Sequence, residues 1–87
     1  MVVYVVTRFD RYESNCDMLI GVYSSKALAL QEVNTDYCNI NNIKPEDFDG
    51  VVWSGNDGPA VEYYENIAND EQYWQVERCT VDKLFHG

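Results

Sequence analysis

Basic residues are few in this 87-residue chain, and their scarcity argues against the usual form of nucleic-acid binding. Six lysines and arginines stand against 15 aspartates and glutamates, which gives a formal net charge of −9. Affinity for DNA or RNA comes mainly from basic side chains that neutralise phosphates. We therefore expect no direct binding to nucleic acid and no attraction to an anionic membrane surface.

Residues that perform catalysis or hold metals are also scarce. The single histidine, His86, is the penultimate residue, where chemistry is poorly positioned. Three widely spaced cysteines, Cys16, Cys38 and Cys79, form no CxxC pair, so we expect idle thiols, with one disulfide as the alternative. The acidic residues do not match a calcium-loop pattern. The sequence predicts no enzyme activity, no cofactor and no metal site.

Long apolar runs are missing as well. No stretch approaches the roughly 20 apolar residues that cross a bilayer, and the opening MVVYVVTRFD lacks the pattern of a secretory leader. We expect a soluble cytoplasmic protein. The length fits one domain, residues 1–87, and 46% hydrophobic residues suffice for a packed core. Because so small a core gives little stability, a homodimer is an open alternative.

What is present predicts a small α+β domain. β-branched and aromatic runs predict strands at 2–8, where both faces are apolar, at 17–23, where Gly21 suggests a bulge, and at 73–82. Serines precede an amphipathic helix over 25–38, which ends in asparagines, and Pro45 begins a short further turn. We predict a three- or four-stranded, mainly antiparallel sheet with one or two helices on one face. The residues predicted to be largely buried are Val3, Val5, Leu19, Leu30, Val33, Trp74 and Val76.

Residues 51–68 allow two interpretations. In the first, residues 51–53 and 61–64 are strands of a hairpin around GNDG. In the second, Asp57 caps a helix. Its apolar stripe would be Ala60, Val61, Tyr64, Ile67 and Ala68. Five positions fit the helical spacing against three for strict alternation, so the pattern favours the helix, although the hairpin stays open.

Three segments of the sequence resemble those of a known class of proteins. VYVVT at the start, IGVYSSKALAL and the closing WQVERCTVDK together cover roughly 40 residues. They resemble the small β-β-α-β proteins of unknown function that are common in phage and prophage genomes, a class that includes anti-CRISPR and other inhibitors of host defence. The resemblance implies a phage accessory protein that acts in the cytoplasm of a bacterial host cell.

The acidic excess lies in the second half of the chain and predicts a binding surface. Residues 1–44 have a net charge of −1 and residues 45–87 one of −8, and residues 45–77 hold nine acidic and no basic residues. Carboxylates such as Glu62 and Glu65 would be neighbours on a helix, about 5–6 Å apart. Together with aromatic side chains they would mimic DNA or RNA towards a basic host protein, such as a CRISPR effector or a restriction enzyme. The predicted partner-binding residues are Glu46, Asp47, Asp49, Trp53, Asp57, Glu62, Tyr63, Glu65, Asp70 and Glu71.

The alternative interpretation gives the acidic residues no partner. The chain is then a phage structural or assembly protein, or another interaction module, whose charge only maintains solubility. Such a protein would bind its partner through apolar surface and would be indifferent to salt.

Overall fold

The computed structural model describes residues 1–11, 17–48, 52–68 and 71–80, and they form one antiparallel sheet with one helix. The elements in chain order are β1 (Val2–Asp10), β2 (Met18–Tyr23), α1 (Lys26–Asn41), a 3-10 turn (Pro45–Asp47), β3 (Val52–Asp57), β4 (Val61–Glu65) and β5 (Gln72–Thr80). The strand order is β2-β1-β5-β4-β3, and all neighbours pair antiparallel. The α+β class is confirmed. The sheet has five strands rather than three or four, because the region of uncertain pattern forms a strand hairpin.

The ends of α1 follow from local hydrogen bonds. At the start, Ser25 caps the helix by accepting a hydrogen bond from the backbone N–H of Leu28 at 3.2 Å. At the end, Asn42 adopts the left-handed conformation with φ of 54°, and its N–H bonds to the carbonyl of Cys38. Asparagine tolerates this conformation better than most residues. The predicted helix is therefore present and extends a few residues beyond its expected end.

The core lies between α1 and one face of the sheet. Its buried residues come from the helix and from strands β1, β4 and β5: Val6, Ala29, Val33, Tyr37, Cys38, Tyr64, Trp74 and Val76. The predicted burial of Val33, Trp74 and Val76 is confirmed. Leu30 is half-buried and packs against this core. Val3 and Val5 are only half-buried, because they lie on the face of the sheet opposite α1.

The prediction that Leu19 is buried is wrong. The pairing of β1 with β2 contains a bulge: Val6 is opposite Gly21 and Thr7 is opposite Leu19, so Ile20 is the extra residue. Ile20 packs against the core, whereas Leu19 is 62% exposed. Side chains alternate between the two faces of a strand, so one inserted residue changes the face on which its neighbours lie. Ile20 therefore packs against the core, and Leu19 is exposed.

A polar contact within the core holds α1 to the two central strands. Arg8 of β1 donates hydrogen bonds to both carboxylate oxygens of Asp36, at 2.9 and 2.8 Å. Trp74 of β5 donates its indole N–H to the same carboxylate at 2.9 Å. The Arg8 and Asp36 side chains are only 20% and 17% exposed, so solvent screens this pair little.

A second polar network joins the end of α1 to the turn between β4 and β5. Asn66 is fully buried and donates to Gln72 at 2.9 Å and to Asn41 at 3.2 Å. Asn41 donates back to the Asn66 oxygen at 3.0 Å, which also accepts the backbone N–H of Ala68. Burial of a polar amide is tolerated here because these hydrogen bonds satisfy it.

We predict that Asp36→Ala lowers the free energy of unfolding by about 2–4 kcal/mol, because the largely buried guanidinium of Arg8 and the indole of Trp74 lose their common acceptor. Urea unfolding followed by tryptophan fluorescence measures the loss. Glu32→Ala, one turn earlier on the same helix, is the matched control and should cost less than about 0.5 kcal/mol. Equal losses would show that the Asp36 contacts do not hold the helix in place.

Candidate protein-binding surface

The region that the sequence favoured as a helix forms the hairpin β3–β4, so the helical interpretation of residues 57–68 is wrong. Gly58 has φ of 69°, a left-handed conformation that glycine adopts without strain, and Asn56 donates its side-chain amide to the Gly58 carbonyl at 2.9 Å. β4 pairs with β3 on one side and β5 on the other. The segment Val-Glu-Tyr-Tyr-Glu therefore satisfies its backbone groups in two ladders, which a helix at this place could not complete.

The hairpin separates the two glutamates that were expected to be helical neighbours. Glu62 and Glu65 are three residues apart in β4, and an odd spacing in a strand places side chains on opposite faces. Glu62 lies on the α1 side and forms an ion pair with Lys26. Glu65 lies on the other side and forms an ion pair with Arg11 at 2.6 Å. Bases from the first half of the chain thus neutralise two members of the acidic run.

Glu62 is held by two side-chain hydrogen bonds. Its carboxylate accepts hydrogen bonds from Lys26 and from the Tyr64 hydroxyl. The hydrogen bond from Lys26 first, and then that from Tyr64, hold the pKa of Glu62 below its usual 4.5, although partial burial opposes them. Burial and the neighbouring Glu62 raise the pKa of Tyr64 far above its ordinary value. The hydrogen bond between the two side chains supports β4.

The remaining predicted site residues lie in separate places. Glu46 and Asp47 are exposed on the 3-10 turn, and Asp57 is exposed at the end of β3. Glu71 is exposed just before β5, where its backbone carbonyl accepts the N–H of Arg11 at 2.8 Å. Trp53 lies in β3, where its backbone pairs with that of Tyr64 in β4. Asp49 and Asp70 lie outside the described residues.

The sequence did not single out the side of the sheet opposite α1, which we call the open face. Strand register arranges its side chains in rows across the strands, and three of these rows cross β1, β5 and β4. One row runs Asp57, Val61, Glu77, Val5, Val22; the next runs Gly55, Tyr63, Gln75, Thr7, Leu19; the third runs Glu65, Tyr73, Phe9. The acidic members of these rows thus lie on β3, β4 and β5, and the members on β1 and β2 are uncharged.

Aromatic rings lie at the end of the open face where β1 ends and β5 begins. Phe9 stacks on Tyr73 with centroids 4.9 Å apart, and Tyr63 meets Tyr73 edge-on at 6.2 Å. The Arg11 guanidinium lies 5.2 Å from the Tyr73 ring while it pairs with Glu65. Tyr63 is therefore the predicted site residue that the structure places among partly exposed rings. Phe9 and Tyr73 were missed, although the apolar character of both faces of the first strand was a signal for them.

A cavity of about 510 Å³ lies between α1 and residues 43–48. Its described lining is uncharged and consists of amide, hydroxyl, thiol and apolar side chains: Gln31, Asn34, Thr35, Cys38, Asn39, Ile43, Pro45 and Phe48. Cys38 and Cys79 are free thiols, and Cys16 lies outside the described residues. Burial first, and Glu77 second, raise the pKa of the Cys79 thiol, which makes it a poorer nucleophile.

Comparison with protein-family models, with curated proteins and with solved structures finds no match to this chain. Within the described residues, no group of three or more histidine, cysteine or acidic side chains is arranged to hold a metal ion. No helix in the described part is long and apolar enough to cross a membrane.

We predict that Glu62→Gln lowers stability near neutral pH and not in strong acid. A carboxylate whose folded pKa is lowered contributes stability above its unfolded value of about 4.5, and the contribution disappears as pH falls through the lower folded value. Urea unfolding should show Glu62→Gln less stable than the parent chain by up to about 1 kcal/mol at pH 7, with the difference shrinking as the pH falls below 4.5. Glu46→Gln, on the exposed 3-10 turn, controls for the loss of one negative charge. A Glu62→Gln deficit that persists at the acid end would assign the effect to packing.

Proposed function

We propose that this chain is a non-catalytic binding protein that docks on the basic surface of a nucleic-acid-handling protein and competes with DNA or RNA for it. The observation that carries the proposal is the way charge is partitioned. Ion pairs within the fold occupy Arg8, Arg11 and Lys26, and the other two described bases, Lys44 and Arg78, are exposed. Glu46, Asp47 and Asp57 are exposed as well, and they outnumber these two bases. With a net charge of −9, the surface presented to a partner is therefore strongly acidic.

An acidic surface of this kind suits a groove that normally holds a nucleic-acid backbone. Such grooves are lined with lysine and arginine, and carboxylates can replace the phosphates that they bind. The partly exposed rings of Phe9, Tyr63 and Tyr73 add apolar contacts, of the type that dominates many protein interfaces. Charge alone gives association rate, whereas aromatic contacts also slow dissociation.

The resemblance to small phage and prophage proteins supports a more specific partner. It suggests a host defence protein, such as a CRISPR effector or a restriction enzyme, with this chain as its inhibitor in the bacterial cytoplasm. A nuclease of that kind has a basic groove, to which the negative charge of this chain is complementary. The proposal involves no catalytic residue and no cofactor of the chain itself.

A second function is favoured by one observation, the exposed aliphatic side chains of the open face. Leu19 is 62% exposed and Val22 54% exposed, and both lie on the edge strand β2. An interaction or assembly protein that binds through this apolar surface would use its acidic residues for solubility alone. The two functions differ in their response to salt, since apolar contacts are not screened.

The test begins with a pull-down from bacterial lysate, using the purified chain as bait at about 0.05 M and at about 0.5 M salt. Exposed charges are screened within about 10 Å at 0.1 M, so a complex held by charge should be lost at the higher concentration. A captured protein is then purified, and gel-shift titration measures whether the chain displaces its DNA or RNA. A complex retained at high salt, with no displacement, would favour the assembly function.

We predict that reversal of exposed acidic residues on the 3-10 turn weakens this binding. Glu46→Lys with Asp47→Lys should raise the dissociation constant at least about tenfold, because two ionic contacts become repulsive. Asp17→Lys with Glu32→Lys changes the net charge equally and lies in the less acidic half, so it is the matched control. It should change the constant less than about threefold. Equal effects of the two double variants would show that only total charge matters.

A further inference from the structure

We propose that the cavity between α1 and residues 43–48 binds a small uncharged heterocycle with amide-type N–H and C=O groups along one edge, of the pyrimidine-base type. The cavity has a volume of about 510 Å³, within the roughly 300–1,000 Å³ of small-molecule sites in proteins. This inference goes beyond the proposed function and does not depend on it, because its test uses a free small molecule and no protein partner.

The helix α1 supplies a hydrogen-bonding wall of the cavity. Its lining residues are spaced by three and four positions, and a helix places such positions on one face. Three of them have side-chain amides, each with donors and an acceptor: Gln31, Asn34 and Asn39. Asparagine and glutamine amides recognise the edges of bases by paired hydrogen bonds. This wall therefore suits a ligand that has an N–H group beside a C=O group.

Asn34 carries a polar atom that the fold itself does not pair. Its amide oxygen is enclosed and accepts no hydrogen bond, and no other buried side-chain oxygen or nitrogen in the described part of the chain is in this condition. The amide of the buried Asn66, by contrast, has partners for both its oxygen and its nitrogen. A buried acceptor without a donor is costly and rare. The χ2 torsion of asparagine is soft, so rotation can turn this oxygen towards the cavity that Asn34 lines, where a ligand N–H would satisfy it.

The segment after α1 supplies an apolar wall, which consists of Ile43, Pro45 and Phe48. The backbone N–H of Ile43 bonds to the carbonyl of Cys38 at 2.9 Å, and the Phe48 ring packs on Tyr37 with centroids 4.8 Å apart. Contacts with the helix and the core thus hold this wall in place. A pyrimidine base has N–H and C=O groups on one edge and C–H groups on the opposite edge. It therefore matches a cavity with one hydrogen-bonding wall and one apolar wall.

The charge of the chain favours a neutral ligand over an ionic one. The net charge of −9 repels phosphates, and Glu46 and Asp47 are exposed on the same turn as Pro45. A cation taken out of water needs a paired carboxylate, whereas the described lining offers amide, hydroxyl and thiol groups. A nucleoside therefore fits this cavity better than its monophosphate does.

Uridine is the probe, and ¹H–¹⁵N NMR titration of the whole chain measures its binding. Saturable shifts should appear at the backbone signals of α1 and residues 43–48 and at the side-chain amide of Asn34. A ligand of this size should have a dissociation constant of about 0.1–1 mM. In 3-methyluridine a methyl group replaces the ring N–H, so it should bind at least about fivefold more weakly. Uridine 5′-monophosphate should also bind more weakly than uridine at low salt.

Two matched variants test the site. Asn34→Leu removes the amide and keeps a similar size, so it should raise the dissociation constant of uridine at least about tenfold. Because the substitution also removes an unpaired oxygen, the thermal midpoint should equal or exceed that of the parent chain. Gln75→Leu removes an amide on the open face, on the other side of the sheet, and should change the dissociation constant less than about twofold.

Each outcome bears on the proposal. The absence of a saturable shift at about 5 mM uridine overturns it. Shifts confined to the open face, or equal weakening by Asn34→Leu and Gln75→Leu, place the binding elsewhere and also contradict it. A monophosphate that binds more tightly than uridine contradicts a neutral ligand. Saturable binding that only Asn34→Leu weakens, in a variant as stable as the parent chain, supports the proposal, whether or not a nucleic-acid-handling partner is found.

Discussion

The carboxylate of Asp36 is the contact on which the arrangement of the molecule depends. It receives hydrogen bonds from Arg8 of β1 and from Trp74 of β5, which are adjacent strands at the middle of the sheet. These bonds fix the single helix over that side of the sheet, and the apolar core forms around them. In the described part of the chain, α1 is the one α-helix, and no described element packs on the opposite side of the sheet. The open face is thus a direct consequence of where α1 is held.

Local signals in the sequence are sufficient to predict the helix and most strands of the sheet. β-branched runs mark β1, β2 and β5, and Ser25 and Asn42 act as the helix caps that their side chains favour. The hairpin is different, because Val61, Tyr64 and Ile67 fit a helical spacing while Val-Glu-Tyr-Tyr-Glu also suits a strand. Pairing of β4 with β5 decides between them, and no local pattern contains that information. The exposure of Leu19 likewise depends on the bulge at Ile20.

The order of charged residues along the chain is a poor guide to where charge lies on the folded surface. Residues 45–77 contain no base, yet the fold brings Lys26 to Glu62 and Arg11 to Glu65, across 36 and 54 residues. The members of the acidic run also end on both faces of the sheet and on the 3-10 turn. The predicted acidic surface therefore lacks Glu62 and Glu65 as free charges, and its exposed part includes Glu46, Asp47 and Asp57.

The central position of β1 and β5 has a consequence for how the chain folds during synthesis. β1 comes from the start of the sequence and β5 from residues 72–80, and the nine residue pairs between them run the length of both strands. β4 and β3 are attached to the rest of the sheet only through β5. Until β5 leaves the ribosome, β1 can pair only with β2, and Asp36 cannot reach Trp74. The fold therefore closes late, by contacts of high sequence separation, which favours slow folding and a period in which earlier strands need protection from aggregation.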